Sequence, residues 1–198
     1  MISAPQLVEL ERKFAPMPGD APAVFSSLER IRRDPRNAGG DKMAADRNGY
    51  ADAYAQVLSG LDPQLVVELG VFQGVSLAMW CDLFPDAHVV GLDLDFDRFE
   101  AHLPFLVEQG AFSVCSPSLI KFDAYSDLAP NLDMVDLFVD DGPHTEPAIR
   151  NALGLFGPLM SPDGVYVVED FEGGDRLLAK AFPQARIICA GRLNAALL

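Results

Sequence analysis

Cysteines, histidines and basic residues are all scarce in this chain. The three cysteines, Cys81, Cys115 and Cys189, form no CxxC pair, so the sequence encodes neither a disulfide framework nor a cysteine-rich metal knot. They read as reduced thiols filling apolar segments of a cytoplasmic protein. No apolar run has the length that crosses a bilayer, and Val135–Val139 is among the longest. The start, Met1-Ile2-Ser3-Ala4-Pro5, lacks the basic and apolar regions of a secretory signal. Lysine and arginine total 15 against 29 acids, a net charge of −14. Such a field repels a phosphate backbone and argues against a nucleic-acid partner. Residues 51–198 are poorest in bases, so this part of the chain suits a cation or a neutral polar ligand better than an anion.

What the sequence does have is enough apolar material, 49% over 198 residues, for one domain with a true core. Residues 1–50 read as a helical extension, a lid or an oligomer contact. Gln6–Phe14 places Leu7, Leu10 and Phe14 on one face, and Ala23–Arg33 does the same with Phe25, Leu28 and Ile31. A turn at 15–20 separates them, and Asp34–Asp41 is a loop. Arg30, Arg32, Arg33 and Arg36 read as a solvated face. Asn48–Leu58 is a further helix.

From residue 64 short apolar runs alternate with helical spacing. Strands are expected at Leu65–Leu69, Val89–Leu92, Leu119–Phe122, Met134–Val139, Gly164–Val168, Ala185–Cys189 and Leu193–Leu198. Helices are expected at Ser76–Leu83, Phe99–Gln109, Glu146–Phe156 and Arg176–Phe182. This alternation predicts an α/β domain over 51–198, a mostly parallel seven-stranded sheet with helices on both faces. Ligands of such sheets sit at the carboxyl ends of the strands.

Two groups of residues fall at those ends. Val66-Val67-Glu68-Leu69-Gly70-Val71-Phe72-Gln73-Gly74 is strand, tight turn and helix start, with Gly70 and Gly74 able to admit a ligand to the backbone. The next strand closes on Asp93, placed to accept a ribose diol. Phe72 stands where a dinucleotide fingerprint needs glycine, and Glu68 would repel a pyrophosphate but attract a sulfonium. These features argue against a nicotinamide-dependent oxidoreductase. The second group is Asp141 and His144 after the fourth strand, with Glu169 and Asp170 after the fifth. Asp141, Glu169 and Asp170 offer hard oxygen ligands to a divalent cation. Consecutive strand residues point opposite ways, so Glu169 and Asp170 can share a cation only beyond the strand's regular end. His144 can take a proton from a hydroxyl that the cation holds.

With those residues in place, about residues 37–198 resemble the class I S-adenosylmethionine-dependent methyltransferases, which have a Rossmann-like fold. The resemblance implies that Glu68, Gly70 and Gly74 line the methionine end of the cofactor, with Phe72 in the same turn. Asp93 would take the ribose, and Asp123-Ala124-Tyr125 the adenine. The Asp-Gly-x-His and Glu-Asp segments narrow it to the metal-dependent macrolide-sugar and rhamnosyl O-methyltransferases and the related cephalosporin-hydroxylase-like group. There the metal positions match Asp141, Glu169 and Asp170 and the base matches His144. Lys42, Tyr50 and Tyr54 resemble the entry segment of those families. Pro143 stands where Ser is usual. The implied function is O-methylation of a small hydroxylated acceptor, a sugar or natural product, assisted by a divalent cation with Mg²⁺ expected. A homo-oligomer is expected, and no membrane partner. The alternative keeps fold and cofactor without methyl transfer, as a hydroxylase-partner-like or cyclase-like protein.

Overall fold

The computed structural model describes residues 1–15, 42–45 and 48–198. The expected helix Ala23–Arg33, most of the turn before it, the loop Asp34–Asp41 and the arginine face at 30–36 lie outside the described residues. The chain runs α1 (Ala4–Phe14), α2 (Ala51–Val57), β1 (Leu65–Leu69), α3 (Val75–Leu83), β2 (His88–Asp93), α4 (Asp97–Glu108) and β3 (Ser118–Lys121). It continues through β4 (Val135–Asp140), α5 (Glu146–Phe156), β5 (Met160–Val168), α6 (Gly174–Ala181), β6 (Arg186–Ala190) and β7 (Leu193–Leu197). Ends differ from expectation by a few residues. The largest difference is β5, which begins at Met160 rather than Gly164. The turn-like stretch Ser161-Pro162-Asp163-Gly164 is absorbed as a bulge, since the register moves from Val135↔Met160 to Leu137↔Val165. Gly164 permits it, because a Cβ there would lie 3.0 Å from the Ser161 carbonyl oxygen. The helix expected from Asn48 begins only at Ala51, after Gly49 takes a φ of +71°.

The seven strands follow the order β3-β2-β1-β4-β5-β7-β6. β1 to β5 are parallel, and β7 runs antiparallel between β5 and β6. Strand order reverses between β1 and β4, which opens a crevice at their carboxyl ends. The register aligns these ends, with Leu69 beside both Leu92 and Asp140, and Asp140 beside Val168. Gly70, Asp93, Asp141 and Glu169 therefore leave the sheet side by side.

Central strands are buried on both faces, which is why they read as unbroken apolar runs. Val66, Leu137, Val139, Val165 and Val167 meet a core shared with α1, α2, α3 and α4. Val67, Leu69, Phe138, Tyr166 and Val168 meet the other, with α5 and α6. There Phe138 stacks on Phe156 and Tyr166, with centroids 4.6 and 4.7 Å apart. Trp80 is fully buried in the first core, 5.5 Å from the Tyr54 ring. α1 turns Leu7, Leu10 and Phe14 into that core, so the N-terminal helix packs on the domain directly. Among the described residues no helix is long and apolar enough to cross a membrane.

Candidate functional site

A cavity of about 450 Å³ opens at the carboxyl ends of the strands, within the ~300–1,000 Å³ range of small-molecule sites. The glycine turn (Gly70, Val71, Phe72) lines one side, and Asp141, His144 and Asp170 line the other. Four non-glycine residues among those described have positive φ: Phe72, Phe112, His144 and Asp170. Three of them line this cavity. Left-handed backbone at such side chains costs free energy and collects at functional sites.

At the glycine turn the two glycines make room for neighbouring parts of the chain. A Cβ on Gly70, at φ +94°, would stand 2.1 Å from the Asp141 carbonyl oxygen, so this glycine lets β4's exit pass against the turn. Gly74, at φ +78°, starts α3, and a Cβ there would stand 2.4 Å from the Phe99 ring. Both were expected to open the backbone to a cofactor, and each also serves the packing of the chain itself. Gly70 still lines the cavity, while Gly74 and the fully buried Glu68 are set back from its wall. Asp93 braces the turn. Its Oδ2 accepts the Val71 and Phe72 N–H groups at 2.8 and 3.1 Å, and its Oδ1 accepts the Leu94 N–H at 2.7 Å. A carboxylate has about four acceptor positions, so Asp93 keeps capacity for a hydroxyl in the cavity it lines. Asp123 Oδ1 accepts the Tyr125 N–H at 2.9 Å, and Asn151 donates to the carbonyls of Ala124 and Ser126 at 2.9 and 2.7 Å. Asp123, Ala124 and Tyr125 line the cavity, as do half-exposed Phe72 and exposed Leu94.

At the other side the alternation that would part Glu169 from Asp170 is broken. β5 ends at Val168, and Asp170 takes a φ of +54°. Asp170 Oδ1 accepts from Tyr50 Oη at 2.6 Å, Arg192 Nη2 at 2.9 Å and Asn48 Nδ2 at 3.3 Å. Glu169 is buried and accepts a short hydrogen bond from the Tyr54 hydroxyl. Between the acids stands Lys42. Its Nζ lies 2.8 Å from Asp141 Oδ2, 3.1 Å from Glu169 Oε2 and 3.5 Å from Glu68 Oε1, with Ser76 Oγ at 3.4 Å. Glu11 on α1 fixes this lysine from behind, accepting the backbone N–H groups of Lys42 and Met43 at 2.8 and 3.0 Å. One ligand atom each from Asp141, His144 and Asp170 lies within 4.8 Å of the other two, the spacing of a cation site, whereas Glu169 stands outside that group. His144 Nε2 is 3.9 Å from Asp141 Oδ1.

The acids outnumber their partners. Burial pushes the Glu169 carboxyl up to about 7 and the Asp141 carboxyl up to about 6, although Lys42 pulls both down. Glu68 rises for the same reason. Burial works against the Lys42 ammonium too, but Asp141, Glu169 and Glu68 outweigh it and hold its pKa well above the usual lysine range. On the far face, burial raises the Asp140 carboxyl to about 7. Glu11, Asn48, Asn151 and Arg192 are the residues that sequence reasoning missed. Glu11 alone left a signal, an acid set among Leu7, Leu10 and Phe14 on the apolar face of α1.

Residues 67–171 match the family model described as a methyltransferase domain. No curated protein matches the chain. Many solved structures are similar in fold, three of them as follows. MycE, a methyltransferase of the mycinamycin biosynthetic pathway in complex with Mg and S-adenosylhomocysteine, is 17% identical at a TM-score of 0.60, over 80% of this chain and 51% of that one. A Nostoc punctiforme protein assigned as an O-methyltransferase is 13% identical at a TM-score of 0.57, over 74% and 55%. TrmN from Thermus thermophilus is 19% identical at 0.54, over 73% and 46%. The chain thus spans about half the length of these structures, and at such identities the likeness carries the fold.

Proposed function

The chain belongs to the methyltransferase-domain family, and from that premise we propose that it is an S-adenosylmethionine-dependent O-methyltransferase, assisted by a divalent cation. Its acceptor would be a hydroxyl of a small molecule, a sugar or a natural product. The observation that carries this reading is the single cavity joining the glycine turn and Asp93 to Asp141, His144 and Asp170.

The residues present fit both groups. For the cofactor, Asp93 has acceptor capacity left for a diol, Phe72 and Tyr125 offer half-exposed rings, and the acidic wall favours a sulfonium over a pyrophosphate. For the cation, Glu169 Oε2 is buried without an aligned hydrogen-bond donor, and the carboxyls of Asp141 and Glu169 are pushed towards neutrality. That is a site short of positive charge. Asp141, Glu169 and Asp170 are the acids gathered around it, and hard oxygen donors of this kind suit Mg²⁺. When bound, the cofactor supplies an electrophilic methyl on sulfur and the cation acidifies an acceptor hydroxyl. His144, held over the cavity by its left-handed backbone, accepts the hydroxyl proton. Asp141 stands beside that imidazole, its Oδ1 3.9 Å from Nε2. Tyr50, Asn48 and Arg192 fix Asp170, so the acceptor meets a preset geometry.

The test is direct. The protein is titrated with S-adenosylhomocysteine and with NADH, then incubated with S-adenosylmethionine, Mg²⁺ and a panel of hydroxylated sugars and polyketides. Binding of S-adenosylhomocysteine but not NADH, with chelator-sensitive methyl transfer to a hydroxyl, is the expected result. Indifference to S-adenosylhomocysteine removes the proposal.

A further inference from the structure

Lys42 is the least expected group in the cavity, a largely but not fully buried ammonium at the convergence of three carboxylates. It reaches this place through deliberate support. Glu11, itself buried on α1, holds the two backbone N–H groups at Lys42 and Met43, and the Lys42 carbonyl accepts the Tyr50 N–H at 2.9 Å. The ammonium then stands 2.8 Å from Asp141 Oδ2 and 3.1 Å from Glu169 Oε2. A divalent cation held by both of these oxygens and by Asp170 would have to occupy the space of that ammonium. Meanwhile Glu169 spends one oxygen on the Tyr54 hydroxyl and the other on this ammonium, and it is not among the three residues, Asp141, His144 and Asp170, whose ligand atoms gather within 4.8 Å.

Building on the divalent-cation reading above, we propose that Lys42 is a resident cation of the site. It holds Glu169 out of the metal's coordination sphere and positions Asp141, so that the protein carboxylates reaching the divalent ion are Asp141 and Asp170 alone. Glu169 is then a positioning residue for Lys42, not a ligand. Two carboxylates with waters and acceptor oxygens are a common complement for Mg²⁺. The device also has a physical logic. An ammonium fixed between Asp141 and Glu169 offsets their mutual repulsion before any ligand arrives, and leaves the outer Asp141 oxygen facing His144. It further couples the cavity to α1, since the Glu11 carboxylate that anchors residues 42 and 43 belongs to that helix.

The sign of the effect separates this role from a merely structural one. Removing a structural lysine weakens everything the site binds. Removing a competing cation frees carboxylates and tightens divalent-ion binding. The experiment is a Mn²⁺ titration of the full chain, reading the free-ion electron paramagnetic resonance signal, for the parent protein and for Lys42→Met, Lys42→Arg, Glu169→Gln and Asp170→Asn. Each sample is also titrated with S-adenosylhomocysteine and melted. Lys42→Met is expected to bind Mn²⁺ about tenfold tighter, with methyl transfer reduced because Asp141 loses its brace. Lys42→Arg keeps the charge and should stay near the parent affinity. Glu169→Gln should stay within about threefold of the parent, while Asp170→Asn weakens Mn²⁺ by about tenfold or more. A Glu169→Gln loss as large as that of Asp170→Asn makes Glu169 a ligand and overturns the inference, as does unchanged or weaker Mn²⁺ binding in Lys42→Met. Should Lys42→Met melt out, the Glu169→Gln and Asp170→Asn pair decides alone. Absence of Mn²⁺ binding in the parent and in Lys42→Met overturns the inference together with the divalent-cation reading. The S-adenosylhomocysteine titration then shows whether the cofactor reading survives by itself.

Discussion

The two sides of the cavity are built by different means. The glycine turn is a local device, with backbone N–H groups of Val71 and Phe72 folded onto Asp93, 22 and 21 residues on. The acidic side is assembled from afar, since Asn48, Tyr50 and Tyr54 reach Asp170 and Glu169 across separations of 122, 120 and 115 residues. A local turn tolerates little change in backbone but depends on few side chains. A convergent cluster depends on every charge in it. The first side should therefore govern cofactor affinity and stability, and the second turnover and response to cations and pH.

The sharpest break between them is expected at His144. His144→Ala should lower turnover by about 10²–10⁴-fold and leave S-adenosylhomocysteine affinity nearly as it was, read by steady-state kinetics beside calorimetry. Equal turnover in the variant would remove His144 as the base. Asp93→Ala should act in reverse, weakening S-adenosylhomocysteine by about 10–100-fold, the worth of charged hydrogen bonds, with Mn²⁺ affinity little changed. A variant that lost both ligands alike would mean the two sides are one cooperative unit.

A smaller effect belongs to Gly74→Ala. The left-handed φ and the Phe99 ring behind it predict a loss of about 1–3 kcal/mol of stability, seen as a lower melting temperature without a change in Mn²⁺ affinity. The smallest effect is the pH slope. Asp140, Asp141 and Glu169 have carboxyls raised in the folded chain to about 7, 6 and 7. The native state therefore holds more protons than the unfolded one between about pH 4 and 7, and its stability falls as pH rises through that window. Melting of the metal-free protein from pH 4.5 to 7.5 should show this decline, and Mg²⁺ should flatten it. A rise in stability over the same range would contradict the crowding of carboxylates around Lys42.

The same contrast explains what the sequence made legible. Strands and helices announced themselves because β1, β4 and the end of β5 are buried on both faces and α5 carries its own Thr145 cap, whose Oγ1 accepts the Ala148 N–H. That Asp93, Asp141, His144 and Asp170 would share one cavity was legible because each follows a strand end or its loop, where topology aims residues at one crevice. The packing purpose of Gly70 and Gly74 was not legible, since spacing cannot tell a backbone that admits a ligand from one that admits Asp141 or Phe99. Arg192 and Asn48 were invisible because nothing local to a β-hairpin turn or a loop marks a partner more than a hundred residues away in one case and 22 in the other. Lys42 lay in view as part of an entry segment, but its place among the acids depends on Glu11 and on a fold no short motif describes.

On the reading proposed above, one cavity receives the methyl donor at Asp93 and a divalent ion at Asp141 and Asp170. A crystal structure with S-adenosylhomocysteine and Mn²⁺, located by anomalous scattering, tests it most directly. Adenosine density is expected between Asp93 and Asp123, with a manganese peak bonded to Asp141 and Asp170. A cavity left empty by the nucleoside, or manganese bound at a different acidic cluster, would contradict it.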